Sequence, residues 1–296
     1  MKTLLICPAL RPAVQQLAVD RPLITTAVLG ESLLGHWIEH VAALGARHVK
    51  IVVADRAGLV DAVVGDGARW GVKIELIVVP IEPTSEEAEA RYGPGGESGW
   101  LPSPHQVILL SHLPGAPDLP LFKSYAGWFA AVLAWMPRSI TPTRVRVSEL
   151  YPGIWVGRRA KISKTATLIA PCWIGDQVFI EPGAVVGPAA IIEDRAVIER
   201  HTHITQSWVG SNTLVGRMTL VTNSLAWGNT LTNLSMDSSL QVTDPFLLCS
   251  LTRKTATTPL GRMARAFRWL VRRPKLRHPP VPITGEHVGQ IMDQSL

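Results

Sequence analysis

Aliphatic residues recur every six positions through the middle of the chain. The count runs Val156, Ile162, Leu168, Ile174, Ile180, Val186, Ile192, Ile198 and Ile204. One five-residue step follows, and the series resumes at Val209, Val215, Val221 and Trp227. Two positions earlier stands mostly a small residue, among them Ala160, Ala166, Cys172, Ala184, Ala190, Ala196, Thr202, Ser207 and Thr213. One position later Gly recurs, at Gly157, Gly175, Gly187, Gly210, Gly216 and Gly228. Strand side chains alternate, so the aliphatic residue and the small one point to the same side. A turn-tolerant residue then bends the chain to the next face. The pattern predicts short strands wound into a three-sided prism, three hexads per coil, with coils stacked at about 4.8 Å. Thirteen hexads give a little over four coils. A single coil cannot bury its own inner face, so the array is stable only as a whole.

This repeat, from about Ile154 to Trp227, resembles the hexapeptide-repeat superfamily. The resemblance implies a left-handed parallel β-helix. It does not specify chemistry, because that fold serves acyltransferases, nucleotidyltransferase appendages, carbonic anhydrases and scaffolds alike.

The same register sorts outward residues into three columns. One reads Trp155, Trp173, Ile191, Trp208 and Ala226; the others read Lys161, Phe179, Val197, Leu214 and Thr167, Val185, His203, Leu220. A ladder of three tryptophans is costly to expose to water. Trp155, Trp173, Ile191 and Trp208 are therefore expected to form an interface with the N-terminal domain, the tail or a second subunit. Isolated surface aromatics are the alternative reading.

Residues 1–147 alternate strand-like and helix-like runs. Strands are expected at Thr3–Cys7, His48–Ala54, Val72–Val79 and Val107–Leu110, and helices at Leu33–Leu44, Leu59–Val64 and Lys123–Trp135. Short connections between alternating elements predict a parallel, Rossmann-like sheet. The opening Met-Lys-Thr-Leu-Leu-Ile-Cys-Pro reads as a first buried strand, since its apolar run is too short for an export signal. The apolar stretch Tyr125–Met136 is too short to span a membrane and reads as a core helix.

Three segments here carry a more specific resemblance. Val28-Leu29-Gly30-Glu31-Ser32-Leu33-Leu34 is similar to a V-x-G-x-P-L-L motif. Leu44-Gly45 followed by Val49-Lys50-Ile51-Val52-Val53 matches a helix-to-strand passage. Gly65-Asp66-Gly67-Ala68-Arg69-Trp70-Gly71-Val72-Lys73-Ile74-Glu75 resembles G-D-G-S-x-x-G-V-x-I-x-Y. Together they resemble the sugar-1-phosphate nucleotidyltransferases (nucleotide-sugar pyrophosphorylases), many of which end in a hexapeptide β-helix. The implied fold is a truncated α/β Rossmann-like nucleotidyltransferase domain at 1–147, a left-handed β-helix at 148–250, and a tail at 251–296.

The residues that would carry nucleotidyl transfer depart from that family. Its glycine-rich loop, which lets backbone N–H groups approach phosphates, is replaced by Cys7-Pro8-Ala9-Leu10-Arg11-Pro12. The lysine of its Pro-Lys pair is Leu23, after Pro22. Where an Asp would hold Mg²⁺, Ser111-His112 follow the apolar strand, and a histidine suits a hard cation poorly. Asp118 is wrongly spaced, and the family's sugar-binding half is missing. Each lost charge contact removes about 3 kcal/mol of transition-state stabilisation. The expectation is a catalytically degenerate member with a regulatory or scaffolding role in nucleotide-sugar or surface-polysaccharide biosynthesis. A nucleotide-sugar remains a candidate ligand, and Arg11 and Arg21 are candidate phosphate-binding residues. No cofactor is expected, and Mg²⁺ only if nucleotidyl transfer survives. Two enzymatic alternatives stay open: an active sugar-1-phosphate nucleotidyltransferase, or a hexapeptide-repeat acyltransferase with His201 or His203 as general base at a coil corner.

Charge and cysteines add context. The net charge of +6 comes from the tail, because nine Lys/Arg and no acidic residue lie between Arg253 and Arg277. Residues 259–273 predict a basic amphipathic helix, with Met263, Phe267 and Leu270 on an apolar face beside Trp269, and Arg265, Arg268 and Arg272 on others. Such a helix suits a partner, a membrane surface or a membrane glycosyltransferase; nucleic acid is not expected. Cys7, Cys172 and Cys249 have no paired spacing, which favours buried thiols in a reducing cytoplasm over disulfides or zinc. The expected location is cytoplasmic, with the membrane's inner face as a docking place. The apolar columns predict a homo-oligomer.

Overall fold

The computed structural model describes residues 1–95, 98–139 and 147–252. The tail helix and its residues Met263, Arg265, Phe267, Arg268, Trp269, Leu270 and Arg272 lie outside the described residues. Met1–Thr252 forms one compact unit.

The N-terminal lobe is built on four parallel strands: β1 (Lys2–Ile6), β2 (His48–Val53), β3 (Lys73–Val78) and β4 (Val107–Leu109), in the order β3-β2-β1-β4. Helices α1 (Leu33–Ala43), α2 (Ala57–Val64) and α3 (Ser85–Tyr92) lie between them, and α4 (Tyr125–Trp135) follows β4. Central β1 reads as an unbroken apolar run because both faces are covered. Leu5 joins the larger core with Val49, Ile51 and Val53. Leu4 and Ile6 pack on the other side with Val52, Ala88 of α3 and Trp100. The helices start where side chains cap them. The Ser32 and Ser124 hydroxyls accept from Gly35 N–H (2.9 Å) and Gly127 N–H (3.0 Å). Thr84 and Glu87 form a reciprocal capping box. Helix α3 was not expected from apolar periodicity, since only Ala88 is buried; its Thr-x-x-Glu cap is the signal that marks it.

The repeat folds as expected into three stacked parallel sheets, the left-handed β-helix that hexapeptide repeats imply. Every aliphatic position from Ile174 to Val221 is buried in a core of its own. The small inner residues that carry hydroxyls are satisfied there: Thr202 donates to the Gly216 carbonyl at 2.6 Å and Ser207 to that of Thr205 at 2.7 Å. Antiparallel strands close both ends, Val147–Tyr151 against Ile154–Gly157 and Thr230–Asn233 against Ser224–Trp227.

One register expectation is corrected. The tryptophan column runs Trp155, Trp173, Ile191, Trp208 and Leu225, not Ala226. A second five-residue step lies between Val221 and Ala226, so Ala226 faces inward, fully buried, in place of Trp227. Both short steps use the same corner, with Gln206 (φ 46°) and Asn223 (φ 48°) in the left-handed region to tighten the bend.

Candidate functional site

The outward faces of Trp155, Trp173, Ile191, Trp208 and Leu225 are not in water. They share one apolar core with Trp37 of α1 and Trp128, Phe129 and Val132 of α4. Trp128 meets Trp208 edge-on with ring centroids 5.3 Å apart, and Trp208 meets Trp227 at 5.7 Å. Each buried indole removes roughly 200 Å² from water, on the order of 5 kcal/mol at about 25 cal/mol/Å². The N-terminal lobe is thus the cover of this face of the prism. Helix α4 is apolar nearly all round because it is buried between the two lobes. The Trp173 indole Nε1 is buried with no hydrogen-bond partner among the described residues.

A polar joint lies within the apolar one. At the corner after the tryptophan strands the chain reads Gly157, Gly175, Glu193 and Gly210, in register from coil to coil. The three glycines leave room for close passage; a Cβ at Gly175 would lie 2.7 Å from Asp194 N. The exception, Glu193, is fully buried and reaches the N-terminal lobe. Its Oε1 accepts from Leu29 N–H (2.7 Å) and its Oε2 from Gly30 N–H (2.8 Å). The Trp208 indole N–H also donates to Oε1 at 3.1 Å. Leu29 (φ 52°) and Gly30 (φ 81°) are the left-handed pair of a two-residue hairpin turn, so their N–H groups are free of the ladder. Burial, then the neighbouring Asp194 charge, push the Glu193 carboxyl up to about 7 against the pull of these three donors. Sequence reading missed Glu193; its place in a column of glycines was the available signal.

Arg11 and Arg21 are not brought together. Both guanidinium nitrogens of Arg11 bind Glu82, at 2.6 and 2.8 Å, and Glu82 Oε2 also accepts from Ala9 N–H at 2.8 Å. Burial alone would raise the Glu82 carboxyl, but the Arg11 and Ala9 bonds outweigh it and hold it low. The loop after β1 therefore carries its own anion. Arg21 stacks on Trp227, its guanidinium carbon 4.5 Å from the ring centroid, and burial lowers its pKa. It is a joint between lobes.

The tip of β4 does not fit Mg²⁺. Ser111 and His112 offer no carboxylate, His112 Nδ1 lies 2.9 Å from the Leu113 carbonyl oxygen, and Asp118 is exposed in a loop. Among the described residues no group of three His, Cys, Asp or Glu side chains is placed to hold a metal. Cys7 and Cys172 are buried, Cys249 is half-buried, and burial raises all three thiols, Cys172 to about 12. His201 and His203 are exposed. His201 sits at a coil corner in the left-handed region (φ 55°) against Gly183, where a Cβ would meet its Nδ1 at 2.3 Å. His203 stands between Val185 and Leu220 on the third face.

Comparison with known proteins adds the following. The family described as bacterial transferase hexapeptide (six repeats) matches residues 171–206. No curated protein matches the chain. Among solved structures, the acetyltransferase domain of PglB from Neisseria gonorrhoeae FA1090 in complex with acetyl coenzyme A is 13% identical, covering 64% of this chain and 100% of that one, with a TM-score of 0.18. Another structure of the acetyltransferase domain of PglB is 14% identical over 61% and 88%, with a TM-score of 0.17. Superposition at that level carries no chemistry. No helix of the described residues is long and apolar enough to cross a membrane.

Proposed function

We propose that this chain is a catalytically idle relative of the nucleotide-sugar pyrophosphorylases, with a regulatory or scaffolding role in nucleotide-sugar or surface-polysaccharide biosynthesis. One observation carries the reading: the Glu82 carboxylate takes Ala9 N–H and both Arg11 nitrogens at the loop where such an enzyme would receive phosphate. An incoming triphosphate would have to displace a held carboxylate without glycine N–H groups, lysine or a metal-binding carboxylate to compensate. The N-terminal lobe then serves as cover for the tryptophan face, and the working surfaces are the other faces of the prism and the tail. On this reading the chain self-associates through half-buried Val185 and exposed Met218 and Leu220, and its tail meets a membrane surface or membrane glycosyltransferase on the cytoplasmic side. The test is pyrophosphate release from nucleoside triphosphates with sugar 1-phosphates and Mg²⁺. The reading expects none above background; a normal rate refutes it.

A second reading, a hexapeptide acyltransferase, is favoured by the transferase match across residues 171–206, which contains His201 and His203. Turnover of acetyl-coenzyme A that is lost in His201→Ala or His203→Ala would establish it over the first.

A further inference from the structure

The first two coils of the prism form a groove of about 620 Å³ lined by Arg158, Arg159, Lys161, Gln177 and Phe179, floored by Ala160 and Val178. It is shallow and open to solvent, so a ligand would be held by charge and stacking rather than by enclosure. Its chemistry is one-sided. Three cations line it; among the described residues Asp176 is the carboxylate hydrogen-bonded to them, and the Asp194 charge also acts on Arg159. Asp176 is buried beneath and pinned to Arg159: it accepts from Nε (3.0 Å), from Nη2 and from the Arg159 backbone N–H (3.1 Å). This fixes the guanidinium and leaves its Nη1 protons for another acceptor. Arg158 and Lys161 have no carboxylate partner among the described residues. Phe179 is 41% exposed and pairs in register with Lys161 on the neighbouring strand, so a ring and an ammonium stem sit side by side on the outer face.

We propose that this groove binds a nucleoside di- or triphosphate, its phosphates on Arg158, Arg159 and Lys161 and its base on the Phe179 ring. Cations alone would accept any polyanion; the exposed aromatic beside them selects a ligand with a planar face, since base–aromatic stacking is sequence-tolerant and substantial. The pinned Arg159 lowers the ordering cost of binding, as a preorganised fork does. The site lies on the β-helix and shares no residue with the loop that Glu82 fills. It does not depend on whether the chain regulates, scaffolds or catalyses.

The experiment is isothermal titration of the full chain with UDP, ATP and inorganic pyrophosphate, at low and high salt, alongside Arg158→Ala, Lys161→Ala and Phe179→Ala. All three side chains are exposed, so each variant should melt with the parent. Lys161→Arg, which keeps the charge, covers the case in which Lys161→Ala does not. The expected result is salt-sensitive binding that falls about fivefold or more with loss of either cation. Phe179→Ala should weaken the nucleotides about tenfold and leave pyrophosphate unchanged. The proposal is overturned if none of the probes binds. It is overturned equally if binding persists unchanged in the cation variants, as the nine Lys/Arg of 253–277 alone would give. Nucleotide affinity indifferent to Phe179→Ala overturns the choice of ligand class.

Discussion

Removing the Glu193 side chain tests how the two lobes are joined. In Glu193→Ala, Leu29 N–H, Gly30 N–H and Trp208 Nε1–H lose their common acceptor in a fully buried place. An orphaned buried donor costs about 1–3 kcal/mol, so three cost about 3–9. Relief from burying a carboxylate offsets part of this. The carboxyl shift from 4.5 to about 7 corresponds to about 3 kcal/mol at 1.36 kcal/mol per unit. A net loss of about 3 kcal/mol remains, and at about 2–4 °C per kcal/mol for a chain of this size the melting temperature should fall by about 10 °C. Differential scanning fluorimetry reads this directly. The pH dependence supplies an independent check. A carboxyl whose folded pKa is raised holds its proton more tightly when folded, so its contribution is fully present below 4.5 and is lost as pH rises through about 7. The melting temperature of the parent minus that of Glu193→Gln, which does not titrate, should therefore decline between pH 4.5 and 7. Parallel curves, or an alanine variant within about 1 °C of the parent, would refute the claim that this carboxylate holds the hairpin turn to the prism.

Trp173→Glu puts a charge at a fully buried ring position; it should cost more than about 4 kcal/mol and yield aggregated or unfolded protein on gel filtration. Glu82→Gln removes the charge that holds Arg11 and should raise protease cleavage within residues 8–12 while lowering stability by about 1–2 kcal/mol; an unchanged cleavage rate would contradict the closed loop. His40 lies edge-on to His105 with centroids 5.8 Å apart, and burial, then the His105 charge, lower its pKa. Its unfolded form binds the proton more readily, so stability should drop as pH falls below about 6.5, and His40→Asn should flatten that slope in a thermal titration.

The prism was legible in the sequence because its physics is local and repeated. An inward aliphatic residue every six positions, with a small residue two before it, leaves the backbone few other ways to bury that face. The parallel sheet was legible for a related reason: β1 is apolar on both faces, which only a covered sheet tolerates. Tertiary structure decided what periodicity could not carry. A single dropped residue at a corner moves every later side chain by one place, and whether Leu225 or Ala226 meets Trp208 depends on how Asn223 turns. The sequence marked the tryptophan ladder as needing a cover, but only three-dimensional packing chose α4 over the tail or a second subunit. The roles of Glu193, Glu82 and Arg21 lay beyond sequence reading because each meets a partner 71 to 206 residues away, through backbone N–H groups, a guanidinium or a ring face, and such contacts leave no spacing in the chain.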